Sequence, residues 1–403
     1  MARYGQHDRY RIPLDCPPAL QFYTSHLFVP HSRRELLWSY VARTFRRVRR
    51  PFQVADSVQG NGFPGGTEEV TNLLREPLKQ AGLESSESIH FLSLEDYQSS
   101  ARGQRVLFLF NGASPVPYAI AKVTRESSQR LALEQEFNAL EALQEKLSQE
   151  FRLTVPKPLT LLAQGGGPTV LLESFIADRS LYVEMRNSLR PRQRVRDHLR
   201  QAREWLAEFQ RATRKEEGRF EETVIRTHVK DPLERFRQHG ELSVHEEQLM
   251  RHTIQMAEKL QGESLFLTAR QGDFWPRNFI LNGDTVGVVD WEHFRGESDP
   301  FSDLFMFATS YGLSYPWKLG RWADPVTAFR ATWLERTWLA RLIEKYLLAH
   351  CTTLRISPQF LEIFFPVFLA ERALKERESN KANKIWRNLF REYAQGGGSV
   401  CFG

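Results

Sequence analysis

Apolar residues in the stretch 91–175 come in short runs broken by polar ones, whereas beyond Ile176 they recur at helical spacing. The first texture predicts strands at residues 91–94, 106–110, 118–123, 159–163 and 169–175, with Gly165-Gly166-Gly167 turning between the last two. Between the third and fourth strands, Leu133, Phe137, Leu140, Leu143 and Leu147 keep a helical period, with Ser127 or Ser128 as its N-cap. A β-β-β-α-β-β order describes a small antiparallel sheet with one helix, an α+β lobe. Farther on, Val195, Leu199, Trp205, Leu206 and Phe209 mark one face of a helix, and more helices are expected near 242–262, 325–350 and 358–394. One segment interrupts the helices: Phe279-Ile280-Leu281 and Val286 to Val289 read as two strands joined at Asn282-Gly283, a strong hairpin signal.

Upstream of the sheet, residues 32–48 alternate apolar positions with arginines, as an amphipathic basic helix does, and Gln59 to Thr67 reads as a Gly-rich linker. Residues 1–70 are therefore set apart as a basic extension and linker, 71–175 as the sheet-bearing lobe, and 176–403 as a helical lobe. The basic helix packs on the main body in the simplest reading; contact with nucleic acid or a membrane surface is the alternative. The chain of 403 residues carries a formal charge of +6, a mild excess that suits anionic partners. Its three cysteines, Cys16, Cys351 and Cys401, form no CxxC pair, which argues against a zinc site or a disulfide framework. The polar N-terminus lacks the apolar run of a signal peptide, and no run of about 18 apolar residues predicts a membrane span. A cytoplasmic protein is expected.

The chemistry concentrates in QGDFWPRNFILNGDTVGVVDWE, Gln271 to Glu292. A hairpin returns the chain on itself, so Asn278 ahead of it is expected near Asp290 behind it, with Asp273 in the loop just upstream. Two carboxylates and an amide oxygen are hard ligands of the kind magnesium prefers, and magnesium shares its shell with phosphates. Such a set suits phosphoryl transfer, one carboxylate and the amide holding metal while the other carboxylate orients the attacking hydroxyl.

This segment resembles the catalytic loop of the aminoglycoside phosphotransferase and choline kinase families, whose pattern is His-Gly-Asp, four residues and Asn, then an Asp-Trp-Glu-like triplet, a Pro and Asp-Leu. Here these are Gln271-Gly272-Asp273, Asn278, Asp290-Trp291-Glu292, Pro300 and Asp303-Leu304. The resemblance implies a two-lobed protein-kinase-like α+β fold, Asp273 as catalytic carboxylate, Asn278 and Asp290 as magnesium ligands, and Asp303 as the group holding the loop's backbone. Gln271 departs from the family's His, though a glutamine also donates and accepts hydrogen bonds. His293 has no partner that the sequence identifies.

A kinase-like lobe needs a lysine on its third strand paired with a helix glutamate. Lys122 is that lysine. Of Glu134, Glu136 and Glu141, Glu136 falls at about 100° per residue on the stripe of Leu133, Phe137 and Leu140, and an inward carboxylate needs a cation. The phosphate loop is placed by position at residues 96–103, with Ser99 and Ser100, although no GxGxxG is present. Leu171-Leu172-Glu173-Ser174-Phe175 takes the hinge position, where backbone groups, those of Glu173 and Phe175 among them, would meet adenine. The resemblance covers about residues 88–310. It implies an ATP- and Mg2+-dependent phosphotransferase acting on a hydroxyl of a small molecule; the alternative is a catalytically idle kinase-like protein that binds nucleotide or serves as a scaffold.

Overall fold

The structure, a computed structural model, describes residues 9–11, 17–27, 29, 67–83, 89–95, 104–111, 114–163, 167–188, 191–215, 218–283, 285–315, 324–378 and 384–398. The basic helix expected at 32–48, most of the linker, and the loop holding Ser99 and Ser100 lie outside these residues. The chain divides into two compact units, Met1–Leu189 with Ile280–His293, and Arg190–Phe279 with Phe294–Gly403. The hairpin thus goes with the first unit, while the loop before it goes with the second. Among the described residues no helix is long and apolar enough to cross a membrane.

In the first unit six strands form an antiparallel sheet in the order β1-β2-β3-β4-β6-β5. They are β1 (Arg9–Arg11), β2 (His90–Glu95), β3 (Gln104–Phe110), β4 (Ala119–Thr124), β5 (Pro158–Ala163) and β6 (Thr169–Ser174). Five of them coincide with the runs expected from the sequence. The sixth, β1, brings a piece of the N-terminal extension into the sheet, with Arg9 opposite Glu95. Side chains alternate between faces with period two. Leu107, Leu109, Ala119, Ala121, Val123, Val170 and Leu172 cluster with Val70, Leu74 and Leu78 of helix α1 (Thr67–Gln80). The opposite face therefore carries Lys122, which sits across from Val106 and Leu171, and Glu173, which sits across from Ile120.

That same face is covered at one end by the short helical stretch Pro17–Phe22, which continues into a π-helical turn, Tyr23–Leu27. Ala19 and Phe22 join Leu92 and Phe110 in a small buried cluster. The Phe22 ring lies 5.3 Å from that of Phe108, 5.7 Å from Phe110 and 5.6 Å from Phe175. Helix α2 (Ser127–Lys146) buries Leu133, Leu140 and Leu143 as its periodicity requires. Its N-cap position is Glu126, without a side-chain cap, so neither serine fills that role.

The hairpin strands are Phe279–Asn282 and Thr285–Val288, and a two-residue strand, Arg179–Ser180, extends them through Leu281 and Ile280. Two contacts fasten the hairpin within this unit. The Val288 N–H donates to the Thr154 carbonyl at 2.8 Å. Gly287 faces Ile176 so closely that a Cβ there would lie 2.3 Å from its Cγ2, which requires glycine.

The second unit is mostly helical, with a two-stranded antiparallel sheet of Thr268–Arg270 and Arg295–Ser298. Helix α3 (Pro191–Thr213) buries Val195, Leu199, Trp205, Leu206 and Phe209, the predicted face. Helix α4 (Val244–Lys259) begins with a capping box of Ser243 and Glu246. Helix α5 (Ser302–Ser314) is buried all round, so it lacks the amphipathic period that reveals surface helices, and the sequence reading passed over it. The span expected at 325–350 breaks at Glu335, and Thr337 caps a fresh helix, α6 (Trp338–Leu354). The long span 358–394 is two helices, α7 (Phe360–Glu378) and α8 (Ile385–Gln395).

Candidate active site

In the first unit one ammonium meets three carboxylates. Lys122 Nζ lies 2.6 Å from Glu136 Oε1, 3.5 Å from Glu173 Oε1 and 3.5 Å from Asp290 Oδ1. Lys122, Glu136 and Glu173 are buried, whereas the Asp290 side chain is 39% exposed. Burial alone would push the lysine pKa down, but Glu136, Glu173 and Asp290 together hold it well above its ordinary value. Burial raises Glu136, opposed chiefly by Lys122. It raises Glu173 to about 8 against the same opposition, so this third acid keeps its proton at neutral pH. One cation cannot neutralise three anions in a medium that solvates none of them well, and the excess is removed by protonation.

Glu136 does a second job. Its Oε1 also accepts the Trp291 N–H at 2.8 Å, which ties the helix carboxylate to the residue following Asp290. Trp291 is fully buried, and its indole N–H donates to the Val288 carbonyl at 3.0 Å. Asp290 has a left-handed backbone, φ 66°, a conformation that short polar residues tolerate better than bulky ones. Glu292 and His293 lie 3.2 Å apart, which gives the histidine a partner the sequence did not indicate.

In the second unit the Gln271-Gly272-Asp273 loop is held from below by one carboxylate. The Gln271 N–H donates to Asp303 Oδ2 at 2.7 Å and the Gly272 N–H to Asp303 Oδ1 at 3.0 Å. This is the loop-holding role the resemblance implied for Asp303. Burial raises the Asp303 pKa to about 6, while Arg270 and the two N–H donors oppose the rise. Gly272 turns the chain at φ 87°, where a side chain would be strained. Gln271 is fully buried, and its Oε1 accepts the Asp273 N–H at 2.7 Å. The amide therefore organises the turn through an acceptor atom, as a ring nitrogen of histidine can. Phe274, next in sequence, is clamped between Trp205 at 5.5 Å and Phe307 at 5.4 Å, which anchors the loop to the helical core.

The Asn278 Nδ2 donates to the Asp273 carbonyl at 3.0 Å and reaches Asp273 Oδ2 at 3.5 Å. With the nitrogen committed inward, the amide oxygen is the atom left to face a ligand. Asn278 Oδ1 and the half-exposed Asp290 carboxylate are both hard oxygens. Each, within its own unit, is the kind of oxygen that magnesium accepts; among the described residues no group of three or more His, Cys, Asp or Glu gathers as a metal centre.

Of the residues singled out from the sequence, Lys122, Glu136, Glu173 and Asp290 come together in the first unit, and Asp273, Asn278 and Asp303 in the second. Phe175 stands apart, with its ring in the Phe22 cluster. Ser99 and Ser100 lie outside the described residues. The Glu173 side chain was not foreseen beside Lys122, yet strand alternation carried the signal, since both residues point to one face. Two arginine contacts were missed altogether. Arg270 bonds Glu371 at 3.1 Å, and Arg372 Nη2 lies 3.5 Å from Asp273 Oδ1. No motif marks either arginine.

A model of the phosphotransferase enzyme family matches residues 105–342. No curated protein matches the chain. Solved structures with a similar fold include a thermostable mutant of aminoglycoside phosphotransferase APH(4)-Ia in ternary complex with AMP-PNP and hygromycin B. It is 13% identical, with 82% of this chain and 100% of that one covered and a TM-score of 0.53. A complex of the same enzyme with ADP and hygromycin B gives 12% identity over 82% and 100%, with a TM-score of 0.52. The macrolide 2'-phosphotransferase MphH from Brachybacterium faecium gives 14% identity over 80% and 97%, with a TM-score of 0.46. Identities this low speak for the fold alone.

Proposed function

Because the chain belongs to the phosphotransferase enzyme family, matched over more than half its length, we propose that it transfers the terminal phosphate of ATP to a hydroxyl of a small molecule. Asp273 orients the acceptor hydroxyl and receives its proton as the oxygen attacks phosphorus. Asn278 and Asp290 are the oxygen ligands of a magnesium ion, which when bound neutralises charge on the phosphates. Lys122, kept cationic by its carboxylates, holds the nucleotide phosphates, and Glu136 fixes the lysine. The backbone of the hinge at Glu173 and Phe175 meets the adenine, and Ser99 and Ser100 belong to the loop over the phosphates. The protein works in the cytoplasm.

The observation that carries this reading is the Lys122–Glu136 ion pair at 2.6 Å, with Asp290 on the same ammonium. A buried cation beside a half-exposed carboxylate has little to recommend it as packing, since buried ion pairs contribute weakly to stability. It is the arrangement phosphoryl transfer needs, with a fixed positive charge next to a metal-binding oxygen. The acceptor is an uncharged or anionic hydroxyl compound such as a sugar, in keeping with the basic balance of the chain.

The test is an acceptor screen with labelled ATP, comparing wild type with Asp273→Ala, alongside thermal shifts with ATP in the presence and absence of magnesium. The reading requires turnover that Asp273→Ala abolishes and a magnesium-dependent shift that Asp290→Ala weakens. Nucleotide binding without turnover on any acceptor, or on water, would identify an idle nucleotide-binding protein instead.

A further inference from the structure

Helix α7 reaches the Asp273 loop with two consecutive side chains. Glu371 Oε2 accepts from Arg270 Nη1 at 3.1 Å, just before Gln271. Arg372 Nη1 donates to the Gly272 carbonyl at 3.4 Å, and its Nη2 lies 3.5 Å from Asp273 Oδ1. The other oxygen of Asp273, Oδ2, faces Asn278 Nδ2 at 3.5 Å. Both oxygens of the carboxylate are therefore addressed, one from each side, and its direction is set.

The arginine is itself aimed. Its guanidinium lies 5.1 Å over the ring of Trp386, in the first turn of α8. Glu376 holds that turn by accepting the Ile385 and Trp386 N–H groups at 2.9 Å each, and Phe368 meets the indole edge-on at 5.6 Å. Arg372 is nonetheless a poor stabiliser. Burial presses its pKa down, its contact with Asp273 is single and long, and its Nε is buried with no hydrogen-bond partner among the described residues. A desolvated cation so weakly paired costs the fold more than it returns. It lies past residue 342, beyond the span the family model matches.

We propose that Arg372 is a positioning residue of the phosphate transfer, holding the Asp273 carboxylate in the direction that meets the acceptor hydroxyl. The proposal rests on the phosphotransferase reading. It acts through Asp273, so the nucleotide site is left intact when the arginine is removed.

The experiment measures magnesium-dependent phosphate release from ATP to water, and ATP binding by calorimetry, in wild type, Arg372→Ala, Arg372→Gln and Arg372→Lys. Arg372→Ala is expected to lose about 10²-fold in kcat, the scale on which small misplacements of reacting groups act, with KM for ATP nearly unchanged. Millimolar guanidinium ion should restore part of the lost rate in Arg372→Ala, and Arg372→Lys, a point charge without the planar fork, should fall between. Wild-type kcat in Arg372→Ala overturns the proposal. So does a loss of ATP binding and melting temperature without guanidinium rescue, which marks a structural arginine; if Arg372→Ala does not fold, Arg372→Gln decides by the same kcat and KM split. A wild-type chain that neither binds ATP nor releases phosphate would sink the phosphotransferase reading first, and this proposal with it.

Discussion

Glu136 Oε1 is 2.6 Å from Lys122 Nζ, and the same oxygen accepts the Trp291 N–H at 2.8 Å. One buried carboxylate thus joins the middle strand of the sheet to the end of the hairpin. Removing it leaves a buried ammonium short of its nearest anion and an amide without an acceptor. Glu136→Ala should destabilise the protein by about 3–5 kcal/mol, the usual cost of breaking a buried pair from one side. The double variant Lys122→Met with Glu136→Leu should recover part of that loss, because the buried ammonium goes with its nearest anion. Urea unfolding of Lys122→Met, Glu136→Leu and the double measures the coupling, and simple additivity would contradict the pairing.

Asp303 makes a parallel case in the second unit. Its two oxygens take the N–H groups of Gln271 and Gly272. Asp303→Ala orphans both donors, at about 1–3 kcal/mol for each. The loop should loosen with it, so phosphate release should fall even at temperatures where the variant is fully folded. Amide exchange at Gln271 and Gly272 is the direct readout. Unchanged protection there would show that the carboxylate is dispensable.

Gln271 allows a finer test of the same loop. Its Oε1 accepts the Asp273 N–H at 2.7 Å while the residue is fully buried. Gln271→His can present a ring nitrogen to that N–H and is expected to keep most of the turnover. Gln271→Ala cannot, and should lose both rate and stability. If the alanine variant matches wild type in kcat, the turn is organised by Asp303 alone.

The hairpin and its flanking residues were legible because motif chemistry is local: an Asn-Gly turn, two short apolar runs, and oxygen-bearing residues at their ends. Lys122 and Glu136 were legible through periodicity, one by strand context and the other by its helical stripe. What stayed hidden was nonlocal or aperiodic. Helix α5 is buried on every side, so no polar face gave it a period. The contact of Arg372 with Asp273 joins residues about a hundred positions apart, with nothing in either neighbourhood to announce it. The strand at Arg9–Arg11 is three residues long and polar, too short for alternation to show. Residues 1–70 read as an extension by composition, yet Phe22 among them packs into the sheet.

That packing carries its own expectation. Phe22 is 2% exposed and meets the rings of Phe108, Phe110 and Phe175. Phe22→Ala should cost about 3–5 kcal/mol, the range for emptying an aromatic site in a packed core. Thermal melts of the variant and of a chain lacking residues 1–30 should show matching losses. A truncated chain that melts with wild type would mean that the cluster contributes nothing.

Glu173 supplies the pH dependence. Burial lifts its pKa from an ordinary 4.5 to about 8 despite Lys122 nearby. The folded state therefore binds this proton more tightly than the unfolded chain does. Its favourable contribution is complete below pH 4.5 and is lost as pH rises through about 8. Glu173→Gln keeps the shape and removes the titration. The stability of this variant relative to wild type, in metal-free buffer, should therefore climb between pH 5 and pH 8, as about one proton of linkage dictates, and level off above. Urea unfolding at intervals of one pH unit reads the slope. A difference that stays flat across this window, or shrinks as pH rises, would place the proton elsewhere in the cluster, with Glu136 carrying it in place of Glu173.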